Sequence, residues 1–200
     1  MYKLPPKKKF GQNFLTDQSV IEKIVFNAGS LENKSILEIG GGSGNLTKHL
    51  LKAKPKKLVV IEVDEDYSEI LGGVLDSNTI ETKLISKDVL KTEIFRCFPE
   101  PPVIFGNLPY NISTKILAKL LTEANGENKW DKLLLMFQLE VAKRIVAKPN
   151  TKEYGRLSLF SQFYSSPSLQ FQISKNAFFP VPKVESALVK FQNNYKNQDD

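Results

Sequence analysis

The sequence predicts an α/β protein: a mostly parallel seven-stranded sheet, helices on both faces, and an antiparallel hairpin at one edge. Three observations predict it. Short apolar runs alternate with segments of helical periodicity from residue 17 to residue 147. Those runs are apolar throughout rather than alternating, as strands covered on both faces must be. The last two runs, SLQFQI (168–173) and SALVKF (186–191), have no long helix between them, so they read as an edge hairpin.

Each element follows from local pattern. Residues 17–28 place Val20, Ile21, Ile24 and Val25 on one helical face, with Thr16 or Asp17 as the cap. SILEI (35–39) is a strand that runs into GGGSG (40–44), followed by a helix carrying Leu46, Leu50 and Leu51. KLVVIEV (57–63) is the second strand, with a helix near 65–75 and a third strand around 79–86. PVIFGN (102–107) precedes a helix with Ile116, Leu117, Leu120 and Leu121, and KLLLMFQ (132–138) precedes one over 139–147. Residues 1–192 are expected to form one domain. The tail NNYKNQDD (193–200) is polar and expected to fray.

Composition excludes several classes. The 200 residues are 41% hydrophobic and 25% charged, which is globular. The longest apolar runs are about five or six residues, far below the roughly 20 of a membrane span. The basic start MYKLPPKKKF leads into no apolar run, so no secretory signal is read there. One cysteine, Cys97, excludes an internal disulfide framework. One histidine, His49, excludes the common zinc sites and leaves no nucleophile–histidine motif. A cytoplasmic protein without a metal is expected.

Charge points to a polyanionic partner. Lys and Arg number 28 against 22 Asp and Glu, a net +6. Residues 101–200 hold 13 basic and 8 acidic residues, five of those six charges. Lys143, Arg144, Lys148, Lys152, Arg156, Lys175, Lys183 and Lys190 cluster late in the chain, and Lys3 with Lys7–Lys9 opens it. Clustered cations release counterions from phosphate backbones, although many basic proteins bind no nucleic acid.

The loop Glu38-Ile39-Gly40-Gly41-Gly42-Ser43-Gly44 follows a strand and opens a helix. Glycines there allow positive φ and close approach of a ligand. Glu62 lies 22 residues after Gly40, at the end of the second strand, where a carboxylate can accept hydrogen bonds from both ribose hydroxyls of an adenosine ligand. The dinucleotide fingerprint G-x-G-x-x-G fails at Asn45. The pattern E-x-G-x-G-x-G instead resembles the first motif of Rossmann-like S-adenosylmethionine-dependent methyltransferases. Asp88, after the third strand, could receive an adenine amino group; by itself it reads rather as a surface or capping residue.

Asn107-Leu108-Pro109-Tyr110 sits at the carboxyl end of the fourth strand, where open α/β sheets bind ligands. It resembles the (Asp/Asn)-X-Pro-aromatic motif of exocyclic-amine methyltransferases. An adenine amine is a weak nucleophile because its lone pair is delocalised into the ring. Acceptors on both N–H bonds, the Asn107 side-chain oxygen and the Leu108 carbonyl, would favour a pyramidal nitrogen. Pro109 restricts Leu108 to extended geometry, and Tyr110 offers an aromatic face. The remaining burden is alignment.

FGQNFL (10–15), the glycine loop, NLPYNIST (107–114), EYGRLS (153–158) and AFFPVPKVESAL (177–188) occur in that order. Together they resemble the ribosomal RNA small-subunit adenine dimethyltransferase family, the KsgA type, over residues 8–191. The resemblance implies that Asn13, Leu15, Gly40, Gly42, Glu62, Asp88 and Asn107 bind S-adenosylmethionine, leaving S-adenosylhomocysteine as product. It implies that Asn107 and Leu108 hold the target amine, and that Tyr110 and Phe178 sandwich a flipped adenine. Taken alone, Phe178 reads as a core aromatic before a proline-rich turn. The implied reaction dimethylates two adjacent adenosines in a hairpin loop near the 3′ end of small-subunit rRNA, by a monomer acting on the ribosomal precursor particle. The family's C-terminal helical domain is expected to be absent from residues 1–200. Two rivals are a large-subunit rRNA adenine methyltransferase of the macrolide-resistance type and a non-catalytic ribosome assembly factor on the same scaffold.

Overall fold

The structure, a computed structural model, describes residues 5–7, 10–77, 79–124 and 127–194. Lys3, Lys8 and Lys9 of the basic cluster and residues 195–200 of the polar tail lie outside the described residues. In chain order the elements are β1 (Phe14–Leu15), α1 (Gln18–Asn27), β2 (Ser35–Ile39), α2 (Asn45–Lys52), β3 (Lys57–Glu62), α3 (Glu65–Asp76) and β4 (Glu81–Ser86). There follow β5 (Val103–Asn107), α4 (Ser113–Ala124), β6 (Lys132–Gln138), α5 (Leu139–Ile145), α6 (Arg156–Tyr164), β7 (Ser165–Ile173), β8 (Phe178–Phe179) and β9 (Ser186–Asn193).

The main sheet has seven strands in the order β4-β3-β2-β5-β6-β9-β7. The first five in this row are parallel, whereas β9 runs antiparallel to both β6 and β7. The chain travels outward from β2 to β4 and then returns to place β5 on the other side of β2. Such a reversal opens a crevice at the carboxyl ends of the two strands, where connecting segments leave in opposite directions.

Alternation along the strands feeds two cores. Leu37, Ile39, Val59, Ile104, Leu133, Leu135 and Val189 pack with Ile116, Leu117 and Leu120 of α4 and Ala142 and Ile145 of α5. Ile36, Leu58, Val60, Phe105, Leu134 and Leu188 pack on the other face with Ile21 and Ile24 of α1, Leu46 and Leu50 of α2, and Leu71 of α3. Asp17 caps α1 through Ser19 and Val20 N–H, resolving the choice left between it and Thr16. Among the described residues no helix is long and apolar enough to cross a membrane.

Three features differ from the expectation. Asn193, assigned to the frayed tail, closes β9 opposite Ser165. A short antiparallel pair joins β1 to β8, with Leu15 opposite Phe178. An unforeseen helix, α6, fills the gap before β7. Its polar side chains satisfy carbonyls that α5 leaves open at its end: Ser158 donates to Arg144 O (2.5 Å), and Gln162 donates to Ile145 O (3.1 Å) and Ala147 O (2.9 Å).

Phe105 is fully buried in the second core. Phe105→Ala is expected to cost about 3–5 kcal/mol, read as a lower urea midpoint at unchanged m-value.

Candidate active site

One crevice of about 280 Å³ opens at the carboxyl edge of β2, β3 and β5. Asn13, Leu15, Gly40, Gly42, Glu62, Asp88, Asn107, Leu108, Pro109 and Tyr110 all line it. Its floor is the glycine loop between β2 and α2. Gly40, Gly42 and Gly44 have φ of 77°, 50° and 75°, a region that penalises any residue with a Cβ. At Gly42 a Cβ would also lie 2.9 Å from the Phe14 ring, so the loop and the segment carrying Phe14 fit only with glycine there.

Glu62 ends β3 almost completely buried. Its Oε2 accepts from Gly42 N–H (2.9 Å), and its Oε1 accepts from Val63 N–H and Asp64 N–H (2.9 Å each). Burial raises its pKa above the usual carboxylate range, while these three backbone donors pull it back. Both lone pairs of Oε1 are thereby taken, and Oε2 keeps one for a further donor. Asp88 faces the crevice and caps a short 3-10 turn, its Oδ1 accepting from Leu90 N–H (2.9 Å), so it plays the capping part and lines the site together.

A strap made of residues 10–17 closes one side. Phe14 packs against Tyr67 with ring centroids 4.8 Å apart. Asn45 Nδ2 donates to Leu15 O (2.8 Å), and Thr16 N–H donates to Ala177 O (2.8 Å). Gln12 Nε2 donates to Asp64 Oδ2 (2.8 Å), and Lys7 Nζ lies 2.6 Å from both Asp64 Oδ1 and Asp66 Oδ2. Burial acts to raise the Asp64 pKa, but Lys7 and Gln12 hold it below the ordinary range. Lys7, counted in the sequence with the cations available to an RNA, is therefore spent on two carboxylates.

Asn107 Nδ2 donates to Asn13 O (2.8 Å). A carbonyl only accepts, so this contact fixes which end of the amide is which and leaves Oδ1 as an acceptor on a residue that lines the crevice. Gly106 makes the turn possible, since a Cβ there would lie 2.6 Å from the Leu108 side chain. Leu108 is buried while no donor among the described residues meets its carbonyl. The Tyr110 hydroxyl is 2.7 Å from Ser186 Oγ.

Phe178 stands apart from the other residues that the resemblance names. It is only 2% exposed, does not line the crevice, and packs in the second core with Leu15, Ala177 and Leu188, the placement that its residues taken alone suggest.

Glu38 was quoted as the first residue of the glycine motif without a role. The structure puts it in the crevice wall at 1% exposure, with Oε2 lacking a hydrogen-bond partner. Burial pushes its pKa up to about 7, Thr47 beside it drawing it partly back and the Glu62 charge adding to the rise. The available signal was an acid inside the otherwise apolar run SILEI.

The sheet order, the glycine loop and the two acids at strand ends define a Rossmann-like methyltransferase fold. The chain belongs to the ribosomal RNA adenine dimethylase family, whose model matches residues 5–199. It is 45% identical over 197 residues to the ribosomal RNA small subunit methyltransferase A of Pelagibacter ubique, covering 96% of this chain and 73% of that protein. Among solved structures it resembles a dimethyladenosine transferase from Plasmodium falciparum (28% identity, TM-score 0.80, covering 93% of this chain and 66% of that one). It also resembles the 23S rRNA methyltransferase ErmE (25% identity, TM-score 0.77, 90% and 70%). The chain thus spans about two thirds to three quarters of the length of these relatives.

Two outcomes follow from the geometry. A group whose folded pKa is raised contributes most below its unfolded pKa of 4.5 and loses that contribution as pH rises to about 7. The stability difference between wild type and Glu38→Gln is therefore expected to fall by about 3 kcal/mol between pH 4.5 and pH 8, measured by urea unfolding. A flat difference would show that Glu38 is not held uncharged by burial. Asn107→Asp sets a carboxylate oxygen against the Asn13 carbonyl, whereas Asn107→Ala only removes a donor. Amide exchange across residues 14–16 is expected to quicken about 10-fold in the Asp variant and less in the Ala variant, read by mass spectrometry.

Proposed function

We propose that this chain uses S-adenosylmethionine to dimethylate the N6 amines of two adjacent adenosines in a hairpin loop near the 3′ end of small-subunit rRNA, in the cytoplasm. The observation that carries the reading is the Asn107 amide in the crevice lining, whose donor side is taken by Asn13 so that its oxygen is left as an acceptor. That acceptor, next in the chain to the Leu108 carbonyl, suits the two N–H bonds of an exocyclic amine.

The residues fit the cofactor. Glu62 Oε2 has a lone pair left for a ribose hydroxyl, and Asp88 keeps an acceptor for an adenine amine. The unpartnered oxygen of Glu38 suits the ammonium of an amino-acid moiety, the one strong donor such a ligand adds near the glycine loop. When bound, S-adenosylmethionine supplies an electrophilic methyl on a sulfonium.

This chain's own work is orientation. Asn107 Oδ1 and the Leu108 carbonyl accept from the two N–H bonds of the target amine, turning its lone pair out of conjugation. Pro109 keeps Leu108 extended and its carbonyl directed. Tyr110 gives the unstacked base a ring to lie on, and such stacking contributes about 1–3 kcal/mol toward extrusion. No side chain need act as a strong base, because the proton is lost from a nitrogen already carrying the new methyl.

Charge supports RNA as the substrate. Lys143, Arg144, Lys148, Lys152, Arg156, Lys175 and Lys183 are exposed, and Lys175 and Lys183 lie in the connection from β7 to β9. Arg144 is exposed but pairs with Glu140, and Lys190 turns inward to Asn27 O (3.3 Å), so neither counts among the cations left for an RNA. The 45% identity to a small-subunit methyltransferase, against 25% to the 23S enzyme, favours the small subunit over the macrolide-resistance reaction.

The test incubates the chain with methyl-labelled S-adenosylmethionine and unmodified small subunits, with large-subunit rRNA in parallel. Label is expected in dimethyladenosine from the small subunit alone after nuclease digestion. Label in large-subunit RNA, or in neither, overturns the assignment.

A further inference from the structure

Ser186 opens β9 with no exposed surface, a position where a hydroxyl is costly unless it is paired. Its place is set from both sides. It stands opposite Gln138 in the β6 ladder and opposite Ile173 in the β7 ladder, so neither the backbone nor the side chain has room to drift. Tyr110 is differently held. It lies in the turn after β5, stitched by Ile112 N–H to Pro109 O (3.1 Å) and by Ser113 Oγ to Tyr110 O (3.2 Å). Those bonds secure its backbone and leave the ring free to choose among rotamers.

The two meet across β6. β5 and β9 are its neighbours on either side, so their backbones stand roughly 9.6 Å apart at two strand spacings. The Tyr110 ring bridges that gap over the end of β6, and its hydroxyl reaches Ser186 Oγ at 2.7 Å. A bond at the far tip of the side chain fixes its tilt as no contact near Cβ could. Glu185 braces the same corner: its carbonyl accepts from Leu139 N–H (2.9 Å), and its Oε2 accepts from Lys175 N–H (2.7 Å).

We infer that Ser186 is a positioning residue for methyl transfer, tethering the Tyr110 hydroxyl so that the ring is already aligned when the target adenine enters the crevice. This rests on the proposed reaction at the same site. It also reassigns the C-terminal motif. In this arrangement its phenylalanine is core, and its link to the target base runs through the serine eight residues later.

The test is a double-mutant cycle of Ser186→Ala, Tyr110→Phe and the pair, assayed for methyl transfer to small ribosomal subunits. One neutral hydrogen bond corresponds to about a 2- to 12-fold effect. Each single variant is expected to lose kcat by that factor with the KM for S-adenosylmethionine unchanged, and the double variant to be no slower than the slower single. In [13Cζ]tyrosine spectra the Tyr110 resonance, assigned by its loss in Tyr110→Phe, is expected to shift in Ser186→Ala while the other tyrosines keep theirs. Tyr110→Phe removes the same bond from the half-buried side, so the question stands even if Ser186→Ala folds poorly. Additive losses, an unchanged kcat in both single variants, or an unmoved resonance overturn the inference while an active wild type preserves the reaction. A wild type that methylates nothing overturns the reaction, and the positioning role with it.

Discussion

An amide has one donating end and one accepting end, and at Asn107 the donating end is already engaged. Its Nδ2 is held by the Asn13 carbonyl, a group that belongs to the strap and not to the sheet. The orientation of the acceptor therefore depends on where the strap lies. The strap depends in turn on anchors at four strand ends: Asp64 just past β3, Asn45 at the start of α2 after β2, Asn107 itself, and Ala177 before β8. Every anchor sits at the carboxyl edge, because a parallel sheet sends all its chain exits to that one edge. Remove the strap and the amide loses the contact that, among the described residues, tells its two ends apart.

The same edge concentrates a different cost. A sheet covered on both faces is a poor place for carboxylates, yet Glu38 and Glu62 are both buried at its rim. Glu62 is made tolerable by three backbone donors that the glycine loop and the β3 end direct at it. Glu38 has no such compensation at Oε2 and answers burial by moving its pKa toward neutrality. The contrast separates their parts. One acid is held by backbone donors, and the other keeps a buried oxygen with no hydrogen-bond partner among the described residues.

What was legible in the sequence followed from how strongly each pattern was set. Strands buried on both faces admit few polar residues, so SILEI and KLLLMFQ appear with the boundaries that their composition suggests. The glycine loop, Glu62 and Asn107 were legible because each chemistry requires a particular residue type at a strand end. α6 was not: apolar residues run all round RLSLFSQFY, with Leu157, Phe160 and Tyr164 against the core and Leu159 and Phe163 exposed. No single stripe in the sequence therefore marks the buried face that Ser158 and Gln162 then pin to the carbonyls at the end of α5. The β1–β8 pair is two residues long, and its partners are more than 160 positions apart, beyond any local signal. Phe178 and Lys7 show the limit from the other side. Residue type read Phe178 as core, where the structure packs it, whereas the stacking role came from resemblance alone; for Lys7, charge counting suggested a free cation that tertiary pairing gives to Asp64 and Asp66.

Those long separations bear on how the site comes into being. Residues 10–17 meet 177–179, Asn107 meets Asn13, and Tyr110 meets Ser186, so the crevice is closed by contacts that span most of the chain. Contacts of that range carry the largest loop-closure cost and are rewarded only once the strands between them are in register. The antiparallel insertion of β9 between β6 and β7 is the step that brings residue 186 back to the edge where residue 107 ends. The crevice is accordingly a property of the assembled sheet and of no single motif within it: each sequence signature supplies a chemical group, and the topology alone supplies their distances.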